Sequence, residues 1–553
     1  MCMSLPYKVI PVLILALVSE AIGQTLAFPG AEGFGRFSVG GRGGRVIYVS
    51  TAAAFKAACE DSSGARIVIP TLGATYDYTS LDGDIEVTKA YLTVPFQCVP
   101  GSGILLKECT FKIFTHDVII RNGRGAHGDD VLTGVNPTSM DTWQIGGGGV
   151  ADSGYNVIID HSTGIWSVDE NFSVGDSAER VTISWCISAW GLYGTIHPEF
   201  EHSKGMLWHS TSADSNSFIN NLLAHNEDRN SRLVGDGIMD YSNNYAYNYS
   251  GPTQAGTDSR LQFRRNYFKP GPNTPANKYG IVSGGGALNT LTMYLEGNLG
   301  HNRLTDSGPD SLITNISSAY QTSAPLILNQ STAIDVDTIA STYLLNRVGP
   351  WPRTAIEDTI IAQVTNGGGN IINGYSVRTL QFPAGAIIGW GRGGGTDTVK
   401  VTVSGIGNLS NRYAGYQYVT TSGTGSGQTN TITNSTVQAG PGVNLLFNTP
   451  FATALCVTSC ELSGGVTNGY VAQTVIAPVS PVAYPTMTPG TAVVDTDLDG
   501  LPDKWEIYFG GTATSISPTS DPDGDGWDRM DNYMAACMDL QMAGLDLNPR
   551  YRR

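Results

Sequence analysis

Charged, hydrogen-bonding and aromatic side chains are concentrated between Asn156 and Asn248, on short β-type runs with loops between them. The runs read NVIIDHSTGIWSVDE, RVTISWCISAWGLYGTIHPEFEHSKG and SFINNLLAHNEDRNSRLVGDGIMDYSNNYAYN. Carboxylates close to cationic side chains are the groups that bind metal ions and transfer protons. We therefore predict that this segment is catalytic.

A second pattern of metal-ligand residues lies near the C-terminus. In DTDLDGLPDKWE, positions 1, 3, 5, 6, 9 and 12 of a 12-residue loop are occupied by Asp495, Asp497, Asp499, Gly500, Asp503 and Glu506. This is the spacing of an EF-hand calcium loop. DPDGDGWDRMDN repeats the start of the pattern with Asp521, Asp523, Asp525 and Gly526, but its twelfth residue is Asn532. We expect Ca²⁺ to bind both loops, the second more weakly, and each ion to hold only its local backbone.

The composition favours a β-rich chain of more than one unit. The chain has 553 residues, whereas a single domain has roughly 100 to 200. Charged residues make up only 14% and there are 68 glycines, which disfavours helical bundles. The formal net charge is −16. Binding to nucleic acid is not expected, because a phosphate backbone requires clustered Lys and Arg.

The first 23 residues match a secretory signal peptide. Lys8 precedes the apolar run VIPVLILALV, and Ala21, Ile22 and Gly23 form the small-x-small pattern of a cleavage site. A membrane-spanning helix needs about 20 apolar residues, which is twice the length of this run. We therefore predict a secreted protein, with residues 1–23 removed and no membrane anchor.

Eight cysteines are present, one of them in the signal peptide, which leaves an odd number. Cys456 and Cys460 are close enough in sequence for a local disulfide, and Cys59, Cys98 and Cys109 could supply another pair. The sequence does not determine the connectivity. A zinc site at CVTSC is not expected, because no second CxxC or His pair lies near it.

A repeat of strand-rich units follows the N-terminal segment. Alignment of the runs DHS, SWC, INN, SNN and RRN makes five residues equivalent, namely Ser162, Cys186, Asn221, Asn244 and Asn266. They are separated by 24, 35, 23 and 22 residues. Periods in the twenties predict a parallel β-helix, in which the equivalent Asn side chains stack along successive turns. The long interval contains an insertion with Gly194–Lys204, which is expected to be a loop on the binding face.

The chain divides into four predicted parts. The signal peptide is followed by a β-helix over residues 24–373. Residues 374–490 are rich in Ser, Thr and Gly and include alternating runs such as VKVTVSG, so a separate β domain is expected there. A carbohydrate-binding role, a spacer role and a flexible linker all remain open for this part. Residues 491–553 form the calcium-binding tail.

Several motifs resemble those of the pectate lyases of polysaccharide lyase family 1, in particular the long secreted bacterial type. They are FPGAEGFGR with GGRGG, NVIIDHSTGIWSVDE, LLAHNEDRNSR and RRNYFKPGPNT, and the similarity covers Ala27–Gly369. The resemblance implies an all-β, right-handed, single-stranded parallel β-helix of the pectin lyase type. It further implies that a lateral cleft binds polygalacturonate and that Ca²⁺ and an arginine cleave this polymer by β-elimination. We expect a monomer.

The same resemblance assigns calcium ligands in the cleft. Asp141 and Asp169 fall where the family's calcium-binding acids lie, and Asp129 and Asp130 are candidate further ligands. Some relatives have another carboxylate four residues after the position of Asp169, where this chain has a serine, so the substrate itself is expected to complete the coordination. Glu170 is expected to point away from the cleft, because neighbouring residues of a strand face opposite sides.

Arg229 is the predicted base that removes the substrate proton. Arg232 and Lys204 are predicted to bind substrate carboxylates. The family motif reads Arg-x-Pro-Arg, and Ser231 replaces the proline here, which is expected to loosen the backbone. An alternative is that Arg229 only clamps a substrate carboxylate.

Other polar residues of this region are expected to be structural. They include His161, His225 and Asp160. Trp166, Trp185, Trp190 and Tyr193 could stack on sugar, but most of these four are expected to pack within or against the coil.

Two other functions fit part of the sequence. A β-helix glycoside hydrolase would use Asp141 and Asp169 as acid and base and would add water across the bond. A non-catalytic carbohydrate-binding protein or adhesin would keep the repeats and the calcium loops without needing Arg229. The tail resembles type 3 thrombospondin repeats and dockerins, so attachment to a cell surface or scaffold and simple structural stapling both remain open for it.

Overall fold

The structure is a computed structural model. It describes residues 24–81, 83–129, 136–147, 154–193, 197, 202–211, 215–285, 290–328, 330–372, 480–545 and 547, together with the backbone of four short strands between residues 378 and 475.

Three parallel sheets, here called A, B and C, form the body of the molecule. Sheet A has eleven strands: Arg45–Val49, Arg66–Pro70, Leu92–Pro95, Val118–Arg121, Tyr155–Asp160, Glu179–Ser184, Ser215–Ile219, Ile238–Ser242, Arg260–Arg264, Thr292–Glu296 and Gln321–Thr322. Sheet B has eight: Ala74–Asp77, Ile104–Lys107, Arg124–Ala126, Thr163–Ile165, Ile187–Ala189, Leu222–Ala224, Tyr245–Tyr247 and Tyr267–Lys269. Sheet C has eight: Ile85–Val87, Phe111–Ile113, Trp143–Ile145, Glu170–Asp176, Lys204–Ser210, Asp228–Gly235, Thr253–Ala255 and Ile281–Ser283.

The chain visits the sheets in a fixed order. From residue 66 to residue 283, each coil contributes a strand to A, then to B, then to C, and the next coil pairs with it in parallel register. Two further strands of sheet A follow. Connections between parallel strands are right-handed in nearly all proteins. The predicted right-handed parallel β-helix is confirmed.

The turn between sheets A and B contains the predicted ladder of equivalent residues. The backbone N–H of Cys186 donates to Asn221 Oδ1 at 2.9 Å, that of Asn221 to Asn244 Oδ1 at 2.9 Å, and that of Asn244 to Asn266 Oδ1 at 2.9 Å. The ladder continues one step further, because Asn266 N–H donates to Asn298 Oδ1 at 3.1 Å. The stacking that the repeat predicted is therefore confirmed.

Each ladder residue follows a residue in the left-handed region. The five preceding residues have φ between 47° and 60°: His161, Trp185, Asn220, Asn243 and Arg265. A single left-handed residue reverses the chain direction sharply without a long loop. The next backbone N–H then points along the helix axis, where the Asn side chain of the following coil accepts its hydrogen bond.

Stacked apolar side chains fill the interior of the helix. Trp143 of one coil lies on Phe172 of the next, with ring centroids 6.5 Å apart, and both are buried. The buried cysteines Cys59, Cys98, Cys109, Cys186 and Cys537 are free thiols. The predicted pairing among Cys59, Cys98 and Cys109 is therefore wrong; these side chains pack as small apolar groups. The predicted Cys456–Cys460 bond lies outside the described side chains.

Helices cover the ends and the side of the coil. Ala52–Cys59 closes the first coils with the fully buried Phe55. Val336–Ala340 and Ala355–Asn366 pack on sheet B, where Ile356 contacts the same apolar cluster as Ile187. Short 3-10 helices occur at Phe34–Phe37, Phe96–Cys98, Pro137–Ser139, Asp310–Ile313 and Ser318–Tyr320. In the described residues, no helix combines the length and apolar character that crossing a membrane requires.

The C-terminal tail packs against the outer face of sheet A. Its helices are Asp503–Tyr508 and Arg529–Met542. Trp505 and Met530 share a buried cluster with Ile67 and Ile69 of the second strand of sheet A. Arg42 Nε lies 2.5 Å from Asp531 Oδ2, and Tyr48 Oη donates to Asp495 Oδ2 at 2.6 Å. The tail is therefore docked on the coil through its apolar helix faces. The expectation that each tail ion holds only its local backbone stays a prediction.

The segment between the β-helix and the C-terminal tail is described only in part. Arg378–Pro383 pairs in antiparallel fashion with Tyr470–Val475, and Leu446–Phe447 with Leu455–Cys456. Residues 480–490 run along the β-helix, where Tyr484 Oη donates to Glu108 Oε1 at 3.0 Å. The division at residues 374 and 490 stays a prediction.

Candidate functional site

Four neighbouring strands of sheet C bring the predicted site residues onto one face. Trp143 is in register with Phe172, Phe172 with Met206, and Met206 with Asn230. The same register pairs Glu170 with Lys204, and Lys204 with Asp228. Strand register thus places residues from three separate motifs within side-chain reach of one another.

Asp141, Asp169 and Glu170 form a compact group of carboxylates. One oxygen from each lies within 4.8 Å of the other two. The backbone N–H of Glu170 donates to Asp141 Oδ1 at 2.9 Å, and the hydroxyl of Ser173 donates to Asp141 Oδ2. Burial, together with the nearby charge of Asp169, raises the pKa of Asp141 well above its usual range. An oxygen-only group under mutual repulsion is suited to a hard divalent cation.

The orientation of Glu170 differs from the expectation that it points away. It lies inside the carboxylate group, is 3% exposed, and forms an ion pair with Nη1 of Arg229. Glu170 is the first residue of its strand and Asp169 precedes the strand, so the alternation of side chains does not apply between them. Both carboxylates consequently face the same site.

Arg229 occupies a buried position beside these acids. Burial lowers the pKa of its guanidinium; the charges of Asp169 and Asp141 oppose this effect, and the nearby Arg232 adds to it. Arg229 itself has φ 50°, in the left-handed region. A guanidinium whose pKa is lowered gives up its proton more readily, which favours a role as a base.

Comparison with known proteins identifies relatives in sequence. No family model matches the chain. The probable pectate lyase C of Emericella nidulans is 31% identical over 266 residues, which cover 46% of this chain and 55% of that protein. A pectin lyase of Pectobacterium carotovorum is 24% identical over 297 residues, which cover 48% of this chain and 82% of that protein. The chain is related in sequence to the pectate lyases.

The extent of this relationship is limited. The chain spans about half the length of the probable pectate lyases that it matches, for example 57% of the one from Aspergillus flavus, which is 31% identical. A crystal structure of a pectate lyase from Bacillus sp. N165 in complex with trigalacturonate aligns over 58% of this chain and 99% of that one, with 17% identity and a TM-score of 0.41.

Lys204 and Arg232, the other two cationic residues predicted from the resemblance to pectate lyases, also lie in sheet C. Lys204 is buried, with Nζ 3.2 Å from Asp228 Oδ2 and 3.6 Å from Glu227 Oε2. Arg232 is half-buried and close enough to Arg229 to affect its pKa. The acids of the next coil therefore hold Lys204 in place at the rim of the carboxylate group.

The two further acids that were candidate ligands are separate from this group. Asp129 is buried at the end of a sheet B strand and does not belong to the carboxylate group that the described residues form. Asp130 lies outside the described residues.

A network of buried amides, which the sequence analysis missed, holds the strand of Arg229. Asn171 Nδ2 donates to Asn226 Oδ1 at 3.1 Å, and Asn230 Nδ2 donates to the carbonyls of Asn226 and Gly251, each at 3.0 Å. The N–H of Ser231 donates to Thr253 Oγ1 at 3.1 Å. Hydrogen bonds thus fix the backbone around Ser231, where a loosened backbone was expected. In the sequence, the only indication of this network is that an asparagine lies close to the DRNSR motif.

His225 and the Asp160–His161 pair are buried and hydrogen-bonded, and their structural role stays a prediction. Burial lowers the pKa of His225 to about 3, and its Nδ1 accepts from Asn248 Nδ2 at 2.8 Å. Asp160 is in sheet A, away from the carboxylate group. Burial opposes its ionisation, but His161 and Arg121 lower the pKa of Asp160 to about 2. Trp166 and Trp190 are fully buried, so they are not exposed for sugar stacking.

The two tail loops share one backbone geometry. In the first, Leu498 and Gly500 donate N–H groups to Asp495 at 2.8 Å each; in the second, Gly524 and Gly526 donate to Asp521 at 2.8 and 3.0 Å. The loop glycines have φ 107° and 93°, as a sharp turn requires.

Each loop also brings together acids for a cation. The structure groups Asp495, Asp497 and Asp499 in one loop and Asp521, Asp523 and Asp525 in the other. Burial raises the pKa of Asp499 to about 6, and the neighbouring acids add to this effect. Asp503 accepts instead from the backbone and hydroxyl of Thr496, and Glu506 accepts from Ile516 N–H at 2.7 Å. Calcium binding in these loops stays a prediction.

Proposed function

We propose that the chain is a polysaccharide lyase that cleaves polygalacturonate by Ca²⁺-assisted β-elimination. The observation on which the proposal rests is the ion pair between Arg229 and Glu170 within the carboxylate group. It puts a buried basic residue with a lowered pKa directly beside a set of oxygen ligands. The sequence similarity to pectate lyases supports the same reaction.

The carboxylate group fits a calcium ion. Asp141, Asp169 and Glu170 offer only oxygen ligands, and a cation between them relieves the repulsion that raises the pKa of Asp141. Ser173 gives Asp141 a hydrogen bond rather than another carboxylate, so a substrate carboxylate is expected to complete the ligand set. Bound there, Ca²⁺ would neutralise the uronate carboxylate and acidify the proton on C5.

The chain's own residues then perform the elimination. Neutral Arg229 takes the C5 proton, and the electron pair of that C–H bond becomes the C4–C5 double bond while the C4–O bond breaks. The leaving oxygen takes a proton from water. Asp228 and Glu227 fix Lys204 in place, and Lys204 and Arg232 bind carboxylates of the polymer. These local positive charges are needed because the chain as a whole is negative and would repel a polyanion.

A hydrolase is the second candidate, because one observation favours it. The raised pKa of Asp141 is a property of a general acid, and Asp169 beside it could act as the second carboxylate. The two reactions differ in their products. Elimination leaves a 4,5-unsaturated sugar at the new non-reducing end, whereas hydrolysis adds water and leaves a saturated one.

We further propose that the chain is secreted as a monomer. The signal peptide at residues 1–23 lies outside the described residues, so this part of the proposal depends on the sequence alone. Attachment to a surface or scaffold through the tail is a weaker proposal than structural stapling, since the apolar residues Trp505 and Met530 of the tail are buried against the β-helix.

Digestion of polygalacturonate with the full chain, with and without a chelator, tests the proposed function. We expect the near-ultraviolet absorbance of unsaturated products to rise, to stop rising when chelator is added, and to resume when Ca²⁺ is restored. A variant with Asp141→Asn and Asp169→Asn should remain inactive with added Ca²⁺. Absorbance that rises unchanged in chelator would contradict the role of calcium, and shortening of the polymer without absorbance would favour the hydrolase.

A further inference from the structure

Two histidines lie against Asp169. His202 Nε2 is 2.6 Å from Asp169 Oδ1, and His197 Nε2 is 4.0 Å from the same oxygen. The two imidazole rings are stacked, with centroids 3.5 Å apart and planes 23° apart. One ligand atom from each of the three residues lies within 4.8 Å of the other two.

Both histidines are buried, which is unusual for polar residues of an inserted loop. His197 and His202 are only 3% and 2% exposed. The backbone N–H of His202 donates to the carbonyl of Tyr193 at 2.9 Å, and that of Ser203 donates to Leu192 at 3.1 Å, which fixes the end of the loop just before Lys204. Two imidazoles with little exposure to water are thus stacked beside a carboxylate.

We propose that Asp169, His197 and His202 form a binding site for a borderline divalent metal of the Zn²⁺ or Co²⁺ type. Two neutral imidazole nitrogens and one carboxylate oxygen are the ligands that such metals prefer, whereas Ca²⁺ prefers oxygen alone. The 2.6 Å contact between His202 and Asp169 is a hydrogen-bond distance, so metal binding replaces the shared proton and releases it. A water molecule or a substrate oxygen would complete four-coordination.

The site shares Asp169 with the proposed calcium site. The oxygen group of Asp141, Asp169 and Glu170 and the nitrogen-containing group both need the same carboxylate. Binding of one metal should therefore weaken binding of the other, and by linkage the effect is reciprocal. If the proposed lyase function holds, on which this consequence rests, Zn²⁺ is an inhibitor that acts by removing a calcium ligand.

Metal binding without substrate tests the site directly. The full chain, stripped with chelator and dialysed, is titrated with Co²⁺ and its visible absorption is recorded, and Zn²⁺ affinity is measured by calorimetry. We expect one bound ion with imidazole ligands, and an affinity at least about tenfold lower in His197→Gln and in His202→Gln, since even indirect partners of a ligand have effects of that size. The tail loops, which offer carboxylates, remain intact in all variants.

His209→Gln is the matched control, because His209 is an exposed histidine on the strand that begins at Lys204. It should bind metal as the unchanged chain does. A Co²⁺ spectrum that is the same in the double variant with His197→Gln and His202→Gln overturns the site.

If the histidine variants do not fold, X-ray absorption of Zn²⁺ bound to the unchanged chain decides between the two outcomes. Two imidazole ligands are expected there, and an oxygen-only shell overturns the site. Excess Ca²⁺ should lower the Zn²⁺ affinity of the unchanged chain, and an unaffected Zn²⁺ affinity overturns the sharing of Asp169. None of these results depends on lyase activity, so failure of the metal site and failure of the proposed function are separate outcomes.

Discussion

Individual residues of the site are held by partners on neighbouring coils. Glu170 orients Arg229, and Asp228 with Glu227 orients Lys204. The sequence motifs predicted the residue types because the resemblance extends over whole segments. They did not predict the role of Glu170, since the position at which a strand begins decides which way a side chain points. They also did not predict His197, because nothing in the sequence indicates how an inserted loop folds back onto the strand it precedes.

Replacement of Arg229 by lysine tests the base. Arg229→Lys keeps a positive charge for Glu170 but removes the guanidine, so we expect turnover to fall by about 10²- to 10⁴-fold with little change in KM. Activity of the unchanged chain should rise toward alkaline pH, where the guanidinium loses its proton more readily. Steady-state kinetics on polygalacturonate measure both effects. Arg260→Lys, at an exposed arginine of sheet A, is the control, and near-normal turnover in folded Arg229→Lys would reassign the base.

His225 should make the free energy of unfolding of the chain depend on pH below neutrality. Burial lowers its pKa from 6.5 to about 3, so the folded chain keeps the ring neutral while the unfolded chain takes up a proton below about pH 6.5. The stabilising contribution is complete above that pH and is lost as pH falls toward 3. Denaturant unfolding at a series of pH values should show a shallower loss of free energy in His225→Gln than in the unchanged chain. The exposed-site variant His209→Gln should keep the full slope; an equal slope in His225→Gln would refute this origin.

At the scale of elements, the turn ladder explains how much of the fold the sequence predicts. Each coil needs a residue that accepts the N–H of the coil before it, and this local requirement repeats along the chain as Asn221, Asn244 and Asn266. The sequence analysis did not predict the next member, Asn298, because the 32 residues that separate it from Asn266 exceed the usual period. The sequence analysis did not predict the docking of the tail, because no sequence period links residues 42 and 531. Their contact depends on two surfaces that form only when the chain folds.

Asn244 is the position at which the ladder can be tested. Its Oδ1 accepts from Asn221 N–H and Nδ2, and its Nδ2 donates to Phe218 O at 2.8 Å, all in a fully buried turn. Asn244→Ala leaves these groups without partners, so we expect the free energy of unfolding to fall by about 2 to 4 kcal/mol. Asn346→Ala, at an exposed asparagine, should change it little. Equal effects of the two changes, measured by denaturant unfolding, would mean that the ladder does not stabilise the coil.

At the scale of the whole molecule, the tail and the carboxylate group occupy different parts of the coil. The tail covers the first strands of sheet A, whereas the carboxylate group and Arg229 lie on sheet C. The contact of Tyr48 with Asp495 connects the first acidic loop of the tail to the β-helix. Binding of Ca²⁺ in the tail should therefore stabilise the coil without taking part in the reaction.

Deletion of residues 491–553 separates these roles. The deletion exposes Ile67 and Ile69 to water, so we expect a lower melting temperature and a loss of the calcium-dependent part of thermal stability. Specific activity at a temperature where the shortened chain is folded should be unchanged and still sensitive to chelator. Calorimetric melting and activity assays on the same preparation measure the two effects. An unchanged melting temperature would show that the tail packing contributes nothing, and inactivity of folded protein would connect the tail to the cleft.

The mass of the products formed from polygalacturonate is the most direct test of the reaction. If Arg229 abstracts the C5 proton beside the carboxylate group, each cleavage divides the polymer without adding water. Mass spectrometry of the digest should then show oligomers that are lighter by one water molecule than the corresponding saturated oligogalacturonates. Oligomers with the mass of one added water per cleavage would contradict β-elimination and would make Asp141 and Asp169 the acid and base of a hydrolase.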